Sequence, residues 1–534
     1  MLNNISQIGD WPSVAVLLLF GLHLARNLFY QLFIWQLKEY RIDRMRIFLL
    51  SSGGKQWMFG KLAIAKWLLL AVYFLYEPVQ TIVWPVLGIF ALESVLIIKE
   101  WISGVKRPQF TLKLLVITLC SVIFLFTPFW LIRFPIPLLI LTLDKLLPFV
   151  VLFLLLVFMV PAHFYRKLMV RRATNKLRKF PNLIRIGITG SYGKSSTKEY
   201  SSVLLAEKFT VVKTEKTLNT DIGIARTILN KVTAKSEALV VEMGAYKRGE
   251  IAELARMVKP TIGIITAINE QHLELFGSLE QTRKAKYELI ASLPKNGLAV
   301  FNADNQYTRL MAKKTRHCRV LTYGYNKSAD VRISDAKVTT NSVSFKLHFG
   351  KTALTCRVQL PGKQQVYAIA AAATAAWYMK LTPAQITRGI SLLTPLSHTM
   401  QITGEFHGAT LIDDTFNANP DSVRAAVTYM QTWQGKKYLV LTPLIELGGQ
   451  TLAQHEKLIK EELGKVNRIY LTNFTYYREL KQLASKLQMP EKLIALPPQQ
   501  IARELGKIVT SGDVVVFEGR EARHALRALA SLQN

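Results

Sequence analysis

One stretch, Gly187-Ile-Thr-Gly-Ser-Tyr-Gly-Lys-Ser-Ser-Thr197, restricts what this chain can fold into more than any other. The short apolar run Leu183 to Ile188 before it reads as a buried strand, and Lys198 to Leu205 after it has helical character. A strand, a glycine-rich turn and a helix opening on Lys194 and Ser195 make a cradle for phosphate. The glycines let backbone N–H groups close on the oxygens, and the helix N-terminus adds positive potential. Lys194 reaches the outer phosphates, and the Ser195 hydroxyl is placed to ligate Mg²⁺. The spacing is Gly-x-x-Gly-Lys-Ser, without the first glycine of the longer Walker pattern.

From Pro181 onward, apolar runs alternate with amphipathic helices, the pattern of a parallel α/β sheet. Strands are expected at 184–189, 209–213, 238–243, 261–266 and 298–302, then short strands from 319 to 360 and an Ala-rich helix at 366–379. A second α/β unit begins after about 398, with strands near 409–413, 437–442, 468–472 and 514–518. The expected plan is a helical membrane domain at 1–162, a basic cytoplasmic linker at 163–182, an ATP-binding domain at 183–397 and a C-terminal Rossmann-like domain at 398–534.

Half of the 534 residues are apolar, and the excess sits in the first 160. Stretches near 12–36, 62–77, 79–98, 111–132 and 136–160 read as about five transmembrane helices. The first is no cleaved signal peptide, because it lacks a basic leader and runs through Arg26 to Trp35 without a small-residue cleavage site. Lys38, Arg41, Arg44, Arg46, Lys55 and Lys61 fill one connection, and Lys99, Lys106 and Arg107 another. Arg166, Lys167, Arg171, Arg172, Lys176, Arg178 and Lys179 follow the last span. The connections around Glu77 and Arg133 are short and poor in charge. The positive-inside rule then places the N-terminus outside a multi-pass protein of the inner cell membrane, with the phosphate loop facing cytoplasmic ATP. Membrane lipids account for much of the net charge of +32. Nucleic acid is not expected as a partner, since basic and aromatic residues do not interleave. Arg26, Glu93 and the Asp144-Lys145 pair fall inside apolar runs. They form a headgroup pocket, pair between helices, or mark a last span that starts near Asp144. Cys120, Cys318 and Cys356 are too far apart for a disulfide framework or a zinc site.

Further polar stretches follow the loop. Glu242 ends a strand at the carboxyl edge of the sheet, where α/β proteins bind ligands. Asn269 to Ser278 follows the next strand, with Lys284-Ala-Lys-Tyr-Glu288 on the helix after it. Glu242 and His272 are candidate Mg²⁺ ligands together with Ser195. In this order, Thr189 to Glu199, Val241-Glu-Met-Gly-Ala245, His272-Leu-Glu274, Ala285-Lys-Tyr-Glu288, Asn302-Ala-Asp304, Asp413 to Ser422 and Ile445-Glu-Leu-Gly448 are motifs of a known family. The stretch from about 183 to 534 resembles the Mur ligases, most closely their MurF-like branch.

The resemblance implies an ADP-forming amide ligase of peptidoglycan biosynthesis. A substrate carboxylate attacks the γ-phosphate of ATP, and an amine then displaces phosphate from the acyl phosphate. By motif position, Thr189, Gly190, Ser191, Tyr192, Gly193, Lys194, Ser195 and Ser196 hold ATP, while Ser195, Glu242 and His272 order Mg²⁺. Lys286 matches a lysine that the family carbamylates to hold a second Mg²⁺, so Lys194, His272 and Lys286 are the expected catalytic residues. Asn302 lies where the family contacts adenine, and Asp414, Asn417 and Asn419 lie in a C-terminal loop that closes on nucleotide and substrate.

The chain departs from the pattern in three places. After Pro361-Gly362 the family carries a His-Asn pair and a further Asn, and here Lys363, Gln364, Gln365 and Ala368 stand instead. Thr399 occupies the place of an arginine that reaches the γ-phosphate. Apolar spans occupy the position of the UDP-sugar-binding domain. Three readings remain open: a membrane-anchored ligase joining an amino acid or dipeptide to a peptidoglycan-precursor acid, a ligase acting on a lipid-linked muropeptide or anionic peptide polymer, and a catalytically weakened nucleotide-binding scaffold. A lipid-linked acid would meet Arg26, Lys66 or the basic segment 166–179.

Overall fold

A computed structural model of the chain describes residues 11–38, 40–50, 52–76, 82–103, 108–131, 135–215, 218–269, 273–444 and 448–532. The chain divides into two compact units, Met1–Tyr165 and Arg166–Asn534.

The first unit is helical. Its elements are Trp11–Leu37, Ile42–Leu50, Ser52–Phe59, Lys61–Tyr76, Val83–Ser103, Leu112–Leu131 and most of Ile136–Arg178. Helices thus lie in all five apolar stretches, and among the described residues Val14–Leu37 and Ile136–Arg178 are the two that are long and apolar enough to cross a membrane by length and composition. Lys61–Tyr76 has 16 residues, which span about 24 Å at 1.5 Å per residue, short of a hydrocarbon core of roughly 30 Å. Along the first helix Val16, Phe20, Leu24, Leu28 and Leu32 recur every four residues, so they share one face, and they cluster with Phe90, Leu114, Leu147 and Val151. Large apolar side chains also point outward, among them Leu18, Leu75, Val95, Leu119 and Phe153.

A closed ionic cluster sits among these helices. His23 Nδ1 lies 2.9 Å from Glu93 Oε2 and His23 Nε2 lies 2.7 Å from Asp144 Oδ1. Lys66 Nζ bridges the same two carboxylates at 2.6 and 3.3 Å, and Lys145 Nζ is 3.3 Å from Asp144. Mutual pairing between helices is therefore what these charges do, and Lys66 is committed to it rather than free for a headgroup. Arg26 bonds its neighbour Asn27 at 2.9 Å. Buried ions persist only when paired, and removal of one partner strands the rest.

The second unit holds two sheets. The larger contains β1 (Ile184–Thr189), β2 (Val211–Lys213), β3 (Ala238–Glu242), β4 (Ile262–Ile265), β5 (Leu298–Asn302), β6 (Arg319–Gly324), β7 (Val331–Val338), β8 (Val343–Phe349) and β9 (Thr352–Val358). Their order is β2-β3-β1-β4-β5-β6-β7-β8-β9, parallel through β7 and antiparallel from β7 to β9. β1 lies between β3 and β4, so the order reverses where the phosphate loop leaves the sheet. The smaller sheet contains β10 (Gln401–Phe406), β11 (Ala409–Asp414), β12 (Lys437–Leu441), β13 (Arg468–Leu471), β14 (Leu493–Ala495) and β15 (Val514–Glu518), ordered β10-β11-β15-β12-β13-β14.

Two strands were not expected. β10 is an edge strand with Thr403, Gly404 and Glu405 exposed and a register shift at Ile402/Gly404, which erases the apolar alternation. β14 has only three residues. The helix Gln365–Tyr378 buries Ala370 to Ala373, Ala375 and Ala376, and such small side chains let it pack closely on the helix Lys194–Ala206.

The ionic cluster yields a direct test. Asp144→Ala leaves Lys66 and Lys145 facing one carboxylate fewer and is expected to cost about 3–5 kcal/mol. Thermal unfolding of the full chain in detergent measures this, and unchanged unfolding contradicts the assignment.

Candidate active site

The site begins where β1 ends. Gly190 has φ +153°, and a Cβ there would fall 1.9 Å from Thr266 Oγ1, so no other residue fits between the loop and the end of β4. Gly193 adopts φ +76° as the cap of the helix Lys194–Ala206, and no side chain caps that N-terminus. Its first N–H groups are therefore presented to an anion. Neighbouring strand ends pin the loop: Thr189 Oγ1 donates to Met243 O (2.8 Å), Ser191 N to Ala267 O (2.7 Å) and Thr266 Oγ1 to Tyr192 O (2.5 Å).

Lys194 folds back and donates to Gly190 O (2.7 Å) and Ser191 O (3.0 Å). Burial lowers its pKa, opposed by the charge of Glu242. Beside it, Ser195 Oγ donates to Glu242 Oε2 at 2.8 Å and Asn219 Nδ2 to Glu242 Oε1 at 3.0 Å. Lys198, fully buried, has its Nζ 4.0 Å from Glu242 Oε2 and 3.1 Å from Glu199 Oε1. Ser196 is buried in the same first turn. The paired hydroxyl and carboxylate are hard oxygen donors and fit Mg²⁺, which keeps several waters of its own. Among the described residues no three His, Cys, Asp or Glu side chains converge on a metal position, and His272 lies outside the described residues.

Lys286 lies on the helix Leu279–Ala291 and is 2 % exposed. Burial pushes its ammonium well below the ordinary lysine range, and the positive charge of Lys194 adds to the shift. Its Nζ stands 5.8 Å from the Phe276 ring centre. The structure thus brings Lys194, Ser195, Glu242 and Lys286 around one loop.

The remaining expected residues are placed differently. Asn302 ends β5, and its Oδ1 accepts from Asp304 N at 2.9 Å. Asp414 ends β11 in register with Glu518 of β15, and its Oδ1 accepts from Met400 N at 3.1 Å. Burial raises both carboxyls; the charge of Asp414 raises Glu518 further, whereas the hydrogen bond from Glu518 opposes the rise of Asp414, and Ser422 Oγ donates to Glu518 Oε1 at 2.6 Å. Asn419 caps the helix Pro420–Met430, accepting from Asp421 N (3.0 Å) and Ser422 N (3.2 Å). Asn417 stands half-exposed between them. Thr399 sits between His398 and Met400, two non-glycine residues with φ of +63° and +45°.

Four residues of this centre were not singled out from the sequence: Asn219, Lys198, Asn269 and Asp421. Asn269 Nδ2 donates to Asp421 Oδ2 at 2.7 Å, which joins the end of β4 to the first turn of the helix Pro420–Met430. Asp421 also lies near the Tyr192 hydroxyl, whose pKa burial raises first and this carboxylate further. Lys198 offered one signal, standing four residues after Lys194 on the same helix face.

This topology and loop define the second unit as a phosphate-loop protein of two α/β domains. Residues 188–376 match the Mur ligase middle domain, and residues 399–521 match the Mur ligase glutamate ligase domain. Over these two domains the chain belongs to the Mur ligase family. It is 33 % identical over 281 residues to the UDP-N-acetylmuramoyl-tripeptide–D-alanyl-D-alanine ligase of Mycobacterium tuberculosis, covering 51 % of this chain and 55 % of that one. Against the enzyme of the same name from Bacillus subtilis the identity is 31 % over 265 residues, covering 49 % and 56 %. The chain therefore spans about half the length of these curated relatives. The crystal structure of MurF ligase from Thermotoga maritima in complex with ADP superposes with a TM-score of 0.62 at 26 % identity, over 68 % of this chain and 83 % of that one. MurF from Acinetobacter baumannii shares the fold with a TM-score of 0.63 at 23 % identity, over 69 % and 80 %.

The Asp414–Glu518 pair carries a pH signature. Its raised pKa values mean that the folded state binds more protons than the unfolded chain above about pH 4. Stability therefore falls as pH rises from there through the raised values. Glu518→Gln supplies a neutral partner and is expected to flatten that decline in chemical denaturation. An unchanged pH slope contradicts the pairing.

Proposed function

We propose that this chain is a membrane-anchored, ATP-dependent, ADP-forming amide ligase that joins an amino acid or dipeptide to a carboxylate of a peptidoglycan precursor. The observation that carries this reading is the convergence of Lys194, the Ser195–Glu242 pair and buried Lys286 on one phosphate loop. The names of the relatives point to a UDP-linked muramoyl tripeptide and D-alanyl-D-alanine as first substrates to try.

In this reading the residues from Thr189 to Ser196 hold the triphosphate, and Lys194 exchanges the carbonyls of Gly190 and Ser191 for phosphate oxygens. A substrate carboxylate and ATP repel each other, so positive charge fixed at the meeting point lowers the barrier. Ser195, Glu242 and His272 would hold Mg²⁺, which supplies further charge neutralisation when bound. The substrate carboxylate oxygen attacks the γ-phosphorus, ADP leaves, and an acyl phosphate forms. The amine nitrogen then attacks the acyl carbon, loses a proton, and inorganic phosphate leaves. Contacts such as Asn269–Asp421 hold the two domains together and exclude the water that would hydrolyse the acyl phosphate. Asn302 is assigned to the base side, and Asp414, Asn417 and Asn419 to the closing loop.

Lys286 has its own role. A lysine kept neutral by burial retains the lone pair that adds to CO₂, giving a carbamate and a released proton. That carbamate offers the oxygen ligands a second Mg²⁺ requires. The helical unit is assigned as the anchor, with residues 1–10 outside and the region after Arg166 in the cytoplasm. Exposed Lys167, Arg171, Arg172 and Lys179 suit an anionic lipid surface. A lipid-linked acid in place of a soluble one is the second reading, favoured by that basic segment.

ADP release by the full chain in the presence of UDP-linked tripeptide, lipid-linked muropeptide and D-alanyl-D-alanine distinguishes these acids. Lys194→Ala is expected to lower turnover at least about 100-fold; wild-type turnover in that variant contradicts the reading. Stripping bicarbonate is expected to lower activity, and short carboxylates to restore part of it in Lys286→Ala. Full activity of Lys286→Ala without any addition removes the carbamate.

A further inference from the structure

The residues that follow the last long apolar run are built into the second unit. On the final turns of the helix Ile136–Arg178, Ala173 and Leu177 are four residues apart on one face. Both are buried in one cluster with Ile224, Ala225 and Ile228 of the helix Asp221–Lys231. Arg185, on β1, closes the end of that face. Its guanidinium donates to Leu177 O and Phe180 O at 2.8 Å each and to Val258 O at 3.4 Å. A cation there satisfies carbonyls that a helix C-terminus leaves unpaired, and the helix dipole favours it. Two side chains of the segment reach the neighbouring helix at its opposite ends. Lys176 Nζ donates to Leu229 O at 2.7 Å, in the last turn of Asp221–Lys231. Arg166 Nε donates to Asp221 Oδ2, at its first residue, and Arg166 Nη2 lies 3.5 Å from Glu253 Oε2. Lys167, Arg171 and Arg172 are exposed instead.

The point that Arg166 holds is close in sequence to the metal end of the site. Asp221 opens its helix directly after the cap Thr220, whose side chain accepts from Gly223 N, and Thr220 follows Asn219. Asn219 Nδ2 donates to Glu242 Oε1, on the carboxylate whose other oxygen receives Ser195. The same loop grips the end of β3 through its backbone as well: Gly244 N donates to Asn219 O at 3.1 Å and Glu242 N to Thr214 Oγ1 at 3.1 Å. Gly244 leaves room for this, because a Cβ there would fall 2.8 Å from Asn219 Cγ. An ion pair, a short stretch of backbone and one amide–carboxylate bond therefore connect Arg166 to Glu242.

Arg166 is half-exposed, and ion pairs at a surface add little to stability. Geometry is what this one supplies. A single guanidinium fork meets carboxylates from two helices, Asp221–Lys231 and Glu250–Val258, and so fixes where the first of them begins. Partners behind a metal ligand orient it and tune its affinity for the ion. We propose that Arg166 is a positioning residue for the metal end of the site: through Asp221 it sets the loop that aims Asn219 at Glu242, so the segment after the last apolar run tunes the affinity for Mg²⁺. This inference rests on the reading above in which Ser195 and Glu242 hold that ion.

The test is calorimetric binding of the β,γ-imido analogue of ATP to the full chain in detergent, over a series of Mg²⁺ concentrations and once in EDTA. Arg166→Ala and Asp221→Ala are each expected to raise the Mg²⁺ concentration at half effect about fivefold, with binding in EDTA as in the wild type. The double variant is expected to match the single ones, because all three break the same link. Asn219→Ala, which removes the last link, is expected to raise the Mg²⁺ requirement about tenfold or more. Lys176→Ala loosens the other end of the same helix contact and is expected to leave that requirement unchanged. An unchanged requirement in Arg166→Ala, additive shifts in the double variant, or an equal shift in Lys176→Ala overturns the positioning role. Binding to the wild-type chain that ignores Mg²⁺, or an unchanged requirement in Glu242→Gln, overturns the metal reading beneath it instead.

Discussion

The second unit depends on one close approach, the passage of Gly190 against Thr266 at the end of β4. With any side chain at 190 the loop would have to leave the strand edge, and the bonds from Ser191 N and Thr266 Oγ1 that shape it would break. Because the loop is pinned there, Gly193 can turn left-handed and start a helix whose first two side chains, Lys194 and Ser195, face the ends of β1 and β3. Glu242 then receives Ser195, and the amine of Lys286 falls within the field of Lys194. Burial depresses both lysines, the charge of Lys194 depresses Lys286 further, and Glu242 partly compensates Lys194. A polyanion at this position would relieve both, so the arrangement is electrostatically suited to phosphate.

The helical unit solves the opposite problem. It gathers positive and negative groups from four helices and lets each satisfy another: His23, Lys66, Glu93 and Asp144 are paired within 3.3 Å. Among the described residues this leaves the cluster as a clasp on helix packing, with charge cancelled rather than displayed. Charge on display lies instead on the segment with Lys167, Arg171 and Arg172, beyond the last long apolar run.

Much of this was legible in the sequence. Strands β1, β3, β4, β5, β11, β12, β13 and β15 are buried apolar runs bounded by turn residues, so periodicity and composition placed them within a residue or two. The phosphate loop announced itself because its glycines serve backbone geometry and its lysine serves charge. What stayed hidden was pairing across distance. Nothing local tells that Asn269 meets Asp421, that Asp414 lies in register beside Glu518, or that Asn419 is occupied in capping a helix. β10 was hidden for a different reason, since its bulged and half-exposed edge carries no alternation to read. Gln364 was visible only as a departure from a family pattern; its unpaired amide required the fold.

The central claim is that this loop couples ATP cleavage to amide formation. Isotope transfer tests it most directly: the acceptor carboxylate is labelled with ¹⁸O, and the released inorganic phosphate is analysed by mass spectrometry after turnover with ATP and the amine. The account predicts one ¹⁸O atom in each phosphate, carried over through the acyl phosphate. Phosphate that is free of label would show that water, and not the substrate carboxylate, attacks the γ-phosphorus.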